Sequence, residues 1–211
     1  QSFIPIKEFF FSANAPSWSL SNEMFFYLLF PLLLLGSSVS LALASFFIAS
    51  FQVSISIAGL SPEQQHYWVY IFPLSRLLDF IIGILLYRLY VYLHSKHIQI
   101  NADTFQCLSV FLLVIFILAK GAVPQLYRYD LFYVLPMSLV IFSFAYSSGK
   151  ISTFLCGKKW VLLGEASFSL YLIHQLVVRY VMEVDSISFG YENVLWDCIL
   201  IVVILLLSIS A

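Results

Sequence analysis

Five charged or titratable residues of this chain lie in surroundings that are otherwise apolar: Glu23, Arg76, Asp79, His174 and Arg179. The chemistry open to such groups is ion pairing, hydrogen bonding between helices, or direct contact with a substrate, and each is a default functional candidate. Glu23 follows Trp18 a turn or so into an apolar run. Ser17 or Ser19 can cap a helix there, and Glu23 would meet the positive end of its dipole. The flanking Trp18 and the aromatic run after it favour a buried pairing or a substrate contact instead. Arg76 and Asp79 are three residues apart, on neighbouring parts of one helical face, so they either cancel as a local ion pair or serve a site together. Gly83, one turn further on, offers a place for another helix to approach closely. Gly164, Ser167, Tyr171 and His174 recur at three- and four-residue intervals and form a small, polar stripe on one face. His174 lies about a dozen residues into its helix, roughly 18 Å along the axis. A neutral imidazole there can donate or accept a hydrogen bond across helices. Arg179 is near enough to the far end to snorkel to water. His66, His94 and His97 fall in polar links and read as ordinary surface histidines.

The elements that must position these groups follow from composition. Of 211 residues, 62% are hydrophobic and 10% charged, against about a quarter charged in a soluble domain. The apolar residues arrive in helix-length blocks, and hydrocarbon offers no partner for an unpaired backbone amide. The expected fold is therefore all-α, a polytopic transmembrane helix bundle. The alternating pattern of a membrane barrel is absent. About seven crossings are expected, at 19–35, 39–58, 73–93, 105–119, 131–147, 160–182 and 194–211. Residues 59–70 are expected to form a loop or surface-lying piece, and the short fourth crossing to be extended by its flanks. Pro31 should bend the first crossing. Residues 1–18 read as an external lead-in and 19–211 as the bundle. The three cysteines, Cys107, Cys156 and Cys198, lack metal-ligand spacing and read as small apolar residues. No basic run points to nucleic acid.

With seven passes, Arg88, Lys96, Lys150, Lys158 and Lys159 fall on one face, and Lys7, Lys120 and Arg128 on the other. The second face also carries Glu8, Glu63, Asp130, Glu183, Asp185 and Glu192. The positive-inside rule puts the first face in the cytoplasm, with the first crossing entering from outside and the C-terminus inside. Glu23 and Arg76 then lie toward the external end, which permits a contact between them. These residues fit an enzyme or a transporter equally, since both line a concave passage with polar groups.

Three segments carry a resemblance to a known family. WSLSNEMFFYLLFP from Trp18 to Pro31, RLLDFIIG from Arg76 to Gly83, and LGEASFSLYLIH from Leu163 to His174 resemble, in order, motifs of the acyltransferase-3 family of membrane O-acyltransferases. Asn22, Met24 and Asp79 are local variants, and Gln175 follows His174 where the family often continues through a short apolar run to proline.

The resemblance implies ten helices, of which seven here would leave three upstream. It also implies transfer of an acyl group, acetyl in the first instance, from acyl-coenzyme A as co-substrate to a hydroxyl of a cell-surface glycan or other sugar-containing acceptor. No tightly bound cofactor and no metal are expected. The expected setting is a bacterial inner membrane, with the bilayer, the donor, the acceptor and the early helices as partners. The family's first-helix histidine and arginine, and its paired-arginine motif, have no counterpart in this sequence. Glu23, Arg76 and His174 are accordingly candidates for supporting roles rather than catalytic ones. Asp79, Trp18, Gly83, Ser167 and Tyr171 are candidates for structural or ion-pairing roles. This portion alone is expected to be inactive, and a non-catalytic or transport component on the same bundle is the alternative.

Overall fold

The computed structural model describes residues 1–188 apart from 12, 13, 15, 99, 147 and 148, and for 177–188 it gives the helix course without side chains. The described residues form helices joined by short links. In chain order they are α1 (Lys7–Phe10), α2 (Ser17–Leu35), α3 (Ser38–Ile57), α4 (Pro62–His66), a π-helical turn (Tyr67–Ile71), α5 (Pro73–Ser95), α6 (Ala102–Ala119), a 3-10 turn (Lys120–Ala122), α7 (Gln125–Arg128), α8 (Leu131–Tyr146), α9 (Lys150–Leu155) and α10 (Lys158–Ser188). Two compact units divide the chain. One comprises Ser2–Pro5 and Ser19–Thr153, and the other Gln1, Ile6–Trp18 and Phe154–Ala211, described to Ser188.

Helix starts in the first unit have legible causes. Ser37 caps α3 by accepting from the Ser40 amide at 3.1 Å, and Asn101 caps α6 by accepting from Thr104 at 3.1 Å. Ser61 and Gln64 form a reciprocal capping box ahead of Pro62. At the end of α5, His97 turns the chain with φ 53°, and the Ile98 amide reaches back to the Leu93 carbonyl at 3.2 Å. That bond is the six-to-one link of a Schellman end, whose left-handed residue is usually glycine.

The core of this unit joins α2, α3 and α5. Leu41, Leu77, Ile81 and Ile84 are buried, with Phe26, Leu29, Ile48 and Phe80 packed on them. The Phe26 and Phe80 rings stack at 5.3 Å. At the far end of α5, Arg88 donates to the carbonyls of Leu34 (3.1 Å) and Gly36 (2.8 Å) and to Ser38 Oγ (3.2 Å). A cation there meets the free carbonyls and negative dipole end of α2. The contacts of α6 with its neighbours include polar pairs: Ser109 meets Ser143 of α8 at 2.8 Å, and Gln106, fully buried, donates to Ser152 Oγ of α9 at 2.6 Å. Gly149 passes so close to α6 that a Cβ would lie 2.5 Å from Gln106 Oε1.

Large apolar side chains cover the outside of these helices: Leu35 is 85% exposed, Ile57 78% and Leu118 78%. Water would penalise such a surface, whereas bilayer hydrocarbon would not. Five spans among the described residues are long and apolar enough to cross a membrane: Ser17–Leu35, Ser38–Ile57, Pro62–Ser95, Ala102–Ala122 and Gln125–Tyr146. They match the first five expected crossings, and Lys120–Ala122 supplies the expected extension of the fourth.

Against the seven crossings expected over the whole chain, five membrane-length apolar spans are found among the described residues. The sixth expected crossing is a continuous helix within α10, but it is not among the five. The expected crossing 194–211 lies outside the described residues. A correction concerns 59–70, expected as a loop or surface piece. It is helical from Pro62 and then π-helical, with Tyr67, Val69 and Ile71 buried. The buried positions alternate there, a period of two that a helical template does not match.

Candidate functional site

The site is built around a break in the third span. The π-helical turn ends at Phe72, which is extended (φ −63°, ψ 125°), and Pro73 restarts the chain as the first residue of α5. Proline has no N–H to give and suits a first helical position, so helix stops and starts again at this point. A broken helix inside a membrane frees carbonyls that side chains must satisfy. Here the Trp68 carbonyl accepts from Ser75 Oγ at 2.5 Å, and the Ile71 carbonyl from Asn22 Nδ2 at 3.1 Å. The Ser75 carbonyl accepts from Gln52 Nε2 at 3.1 Å. Three elements are thus tied to the break by polar side chains, and Arg76 emerges in the first turn of α5.

A guanidinium in the first turn of a helix faces the positive end of the dipole and needs negative partners. Arg76 has two. Its Nη2 lies 2.9 Å from Asp79 Oδ2, and its Nη1 lies 3.1 Å from Asp130 Oδ1. The carboxylates differ in setting: the Asp130 side chain is 2% exposed and that of Asp79 42%. Gln52, itself buried, donates from the same Nε2 to Asp130 Oδ2 at 2.6 Å, so both N–H bonds of one amide are used. The guanidinium carbon also stands 5.6 Å from the centre of the Tyr70 ring. Removing these charges from water is costly, and the contacts at 2.6, 2.9 and 3.1 Å offset part of that cost.

One cavity of about 410 Å³ opens beside the cluster. Arg76, Asp79, Tyr129, Asp130 and Tyr133 line its polar part, and Ile82, Leu86, Val134, Met137 and Ile141 its apolar part. Its size falls in the range of small-molecule sites, and a few convergent polar groups in an apolar wall are their usual chemistry. Such an arrangement can accept hydrogen bonds from hydroxyls and hold a polar head beside an apolar body.

The residues singled out in the sequence are distributed as follows. Arg76 and Asp79 are brought together as expected. Glu23 is half-buried on α2 and makes no ion pair with Arg76, whose charge is taken by Asp79 and Asp130. Asn22, its neighbour, is the residue of that motif that reaches the break. Among the described residues no helix is seated on Gly83: a Cβ there would meet nothing within 4 Å, and the glycine lines the cavity. Trp18 is buried, and the Ser17 hydroxyl contacts the Asn14 carbonyl (2.6 Å) and Gln1 Oε1 (2.8 Å).

His174, Ser167 and Tyr171 belong to the smaller unit. His174 Nδ1 is 3.1 Å from the Leu170 carbonyl of its own helix, and its ring lies 6.0 Å from that of Tyr171. The Tyr171 hydroxyl donates to the Pro16 carbonyl at 3.3 Å, and Ser167 Oγ to Gly164 at 2.6 Å. A Cβ at Gly164 would also meet open space. The Arg179 side chain lies outside the described set. Sequence reasoning missed Gln52 and Asp130. The signal available for Gln52 was a lone amide late in an otherwise apolar helix, and for Asp130 an acid immediately ahead of a crossing on the same face as Arg76.

Residues 2–211 match the acyltransferase domain of the acyltransferase-3 family. The chain is similar to "Acyltransferase MdmB" of Streptomyces mycarofaciens, 27% identical over 212 residues, covering 92% of this chain and 52% of that protein. It thus spans about half the length of the curated relative it matches. No solved structure matches. With the family match running almost end to end over a bundle of membrane-length apolar helices, the chain belongs to the acyltransferase-3 family of multi-pass membrane acyltransferases.

Proposed function

We propose that this chain is part of an integral-membrane O-acyltransferase that moves an acyl group, acetyl foremost, from acyl-coenzyme A to a hydroxyl of a cell-surface glycan or another sugar-containing acceptor. The observation that carries the reading is the Gln52–Asp130–Arg76–Asp79 network beside a cavity within membrane-length helices. A buried charge cluster of this kind is costly and is retained where it handles a polar ligand. Its place at the broken start of α5, where α3 ends and α8 begins, puts it toward the external end in the orientation derived from Lys and Arg. The acceptor approaches from that side, while the donor is supplied from the cytoplasm, so the acyl group passes through the bundle. In this scheme Arg76 orients the acceptor, and the base that takes the hydroxyl proton lies elsewhere in the full-length protein. The setting is a bacterial inner membrane with the C-terminus inside.

The test is transfer of radiolabel from acetyl-coenzyme A to cell-envelope glycans in membranes holding the full-length gene product, beside an Arg76→Ala variant. Incorporation by the first and its loss in the second, at equal amounts of folded protein, supports the reading. Incorporation by neither, with folded protein confirmed in the membrane, refutes acetyl transfer.

A further inference from the structure

The two carboxylates on Arg76 both border the cavity but differ in exposure and in how many of their oxygens are engaged. Asp130 has one oxygen on the guanidinium and the other on Gln52 Nε2, and its side chain is 2% exposed. Asp79 has one oxygen on the guanidinium, belongs to the cavity wall, and is 42% exposed. Both Asp130 oxygens are thus engaged, and the carboxylate with room for further donors is Asp79. The phenols of Tyr129 and Tyr133 flank the same space, and Gly83, one turn beyond Asp79, leaves it open.

We propose a division of labour: Asp79 is the ligand-facing carboxylate, accepting a hydrogen bond from a hydroxyl of the acceptor, and Asp130 with Gln52 is the clamp that positions Arg76 and, through it, Asp79. The identity of the hydroxyl compound rests on the acyl-transfer function proposed above; the exposure of Asp79 to a ligand and the seclusion of Asp130 do not. Asp79 is a binding group in this scheme, and no proton leaves the hydroxyl to it. A site built to accept from a hydroxyl gains its selectivity from the penalty of leaving the charged acceptor unpaired.

The experiment has two arms on the full-length protein. In the first, Cys107, Cys156, Cys198 and any other cysteine of the full-length protein are replaced by Ser, and Asp79→Cys and Asp130→Cys are each exposed, in open membrane fragments, to a charged methanethiosulfonate reagent. Asp79→Cys is expected to be modified in the folded protein, and Asp130→Cys only after denaturation. Resistance of Asp79→Cys, or equal modification of both, overturns the proposal. In the second arm, Asp79→Asn is compared with wild type for radiolabel transfer from acetyl-coenzyme A to envelope glycans. The acceptor KM is expected to rise roughly tenfold to a hundredfold, the loss of one charge-assisted hydrogen bond, with the donor KM unchanged. Unchanged acceptor KM, or a shift confined to the donor, also overturns it. If wild-type membranes transfer no label, the acyl-transfer function fails, and the thiol arm alone decides whether Asp79 faces ligand space.

Discussion

The Gln52–Asp130 bond can be measured apart from its surroundings. Gln52→Leu removes two N–H bonds, at 2.6 Å to Asp130 and at 3.1 Å to the Ser75 carbonyl. It also removes Gln52 Oε1, a buried oxygen without a partner among the described residues. These effects oppose each other: the lost bond to a charged group costs about 1.5–3 kcal/mol, and relief of an unsatisfied buried oxygen returns about 1–3 kcal/mol. The single variant therefore says little. A double-mutant cycle with Asp130→Ala cancels the Ser75 bond and the Oε1 penalty, because both occur with and without Asp130. Ordinary side-chain bonds between membrane helices average about 0.6 kcal/mol in such cycles and reach about 1.7 kcal/mol. The acceptor here is a carboxylate already committed to an arginine, so the coupling should lie at the upper end, about 1.5 kcal/mol. Reversible unfolding in mixed micelles of mild detergent and dodecyl sulfate measures it. A coupling below about 0.5 kcal/mol would refute the idea that Gln52 holds Asp130 in place.

Three further substitutions probe the scaffold by the same unfolding assay. Gly149→Ala drives a methyl group to 2.5 Å from Gln106 Oε1 and 2.9 Å from Asp103 Oδ1, and should destabilise by about 1–3 kcal/mol, whereas Gly83→Ala, with open space at its Cβ, should be neutral or slightly stabilising. Equal effects at the two glycines would contradict the packing described between α6 and the start of α9. Arg88→Lys keeps the charge but cannot span Leu34, Gly36 and Ser38 with a planar fork, so it should lose about as much stability as Arg88→Ala, within about 0.5 kcal/mol. His97→Gly should raise stability by about 0.5–1 kcal/mol, because a left-handed residue costs a side chain about 1–2 kcal/mol and glycine returns part of that as chain entropy. A fall in stability would mean that the imidazole contributes more than the backbone strain costs.

How far the sequence discloses this molecule depends on whether a feature is local. Apolar blocks reveal the first five crossings because bilayer thickness imposes a minimum length on each. The Arg76–Asp79 pair is legible because three-residue spacing on a helix forces proximity. The Asp130 and Gln52 partners are not, since they come from helices 54 and 24 positions away in either direction along the chain. No periodicity links such positions; only the shared end of three alternating crossings does. Gly83 shows the same limit from the other side. A glycine in a membrane helix predicts close helix contact and open space equally well, and which one holds is decided by what the neighbouring helix places opposite. The break before Pro73 was legible as a boundary, yet the polar groups that satisfy its carbonyls, Asn22 and Ser75, were not, because each is unremarkable until a freed carbonyl stands before it. An amide or hydroxyl in an apolar helix is therefore best assessed against the nearest helix break on the same face, a rule under which Asn22 would have been chosen ahead of Glu23.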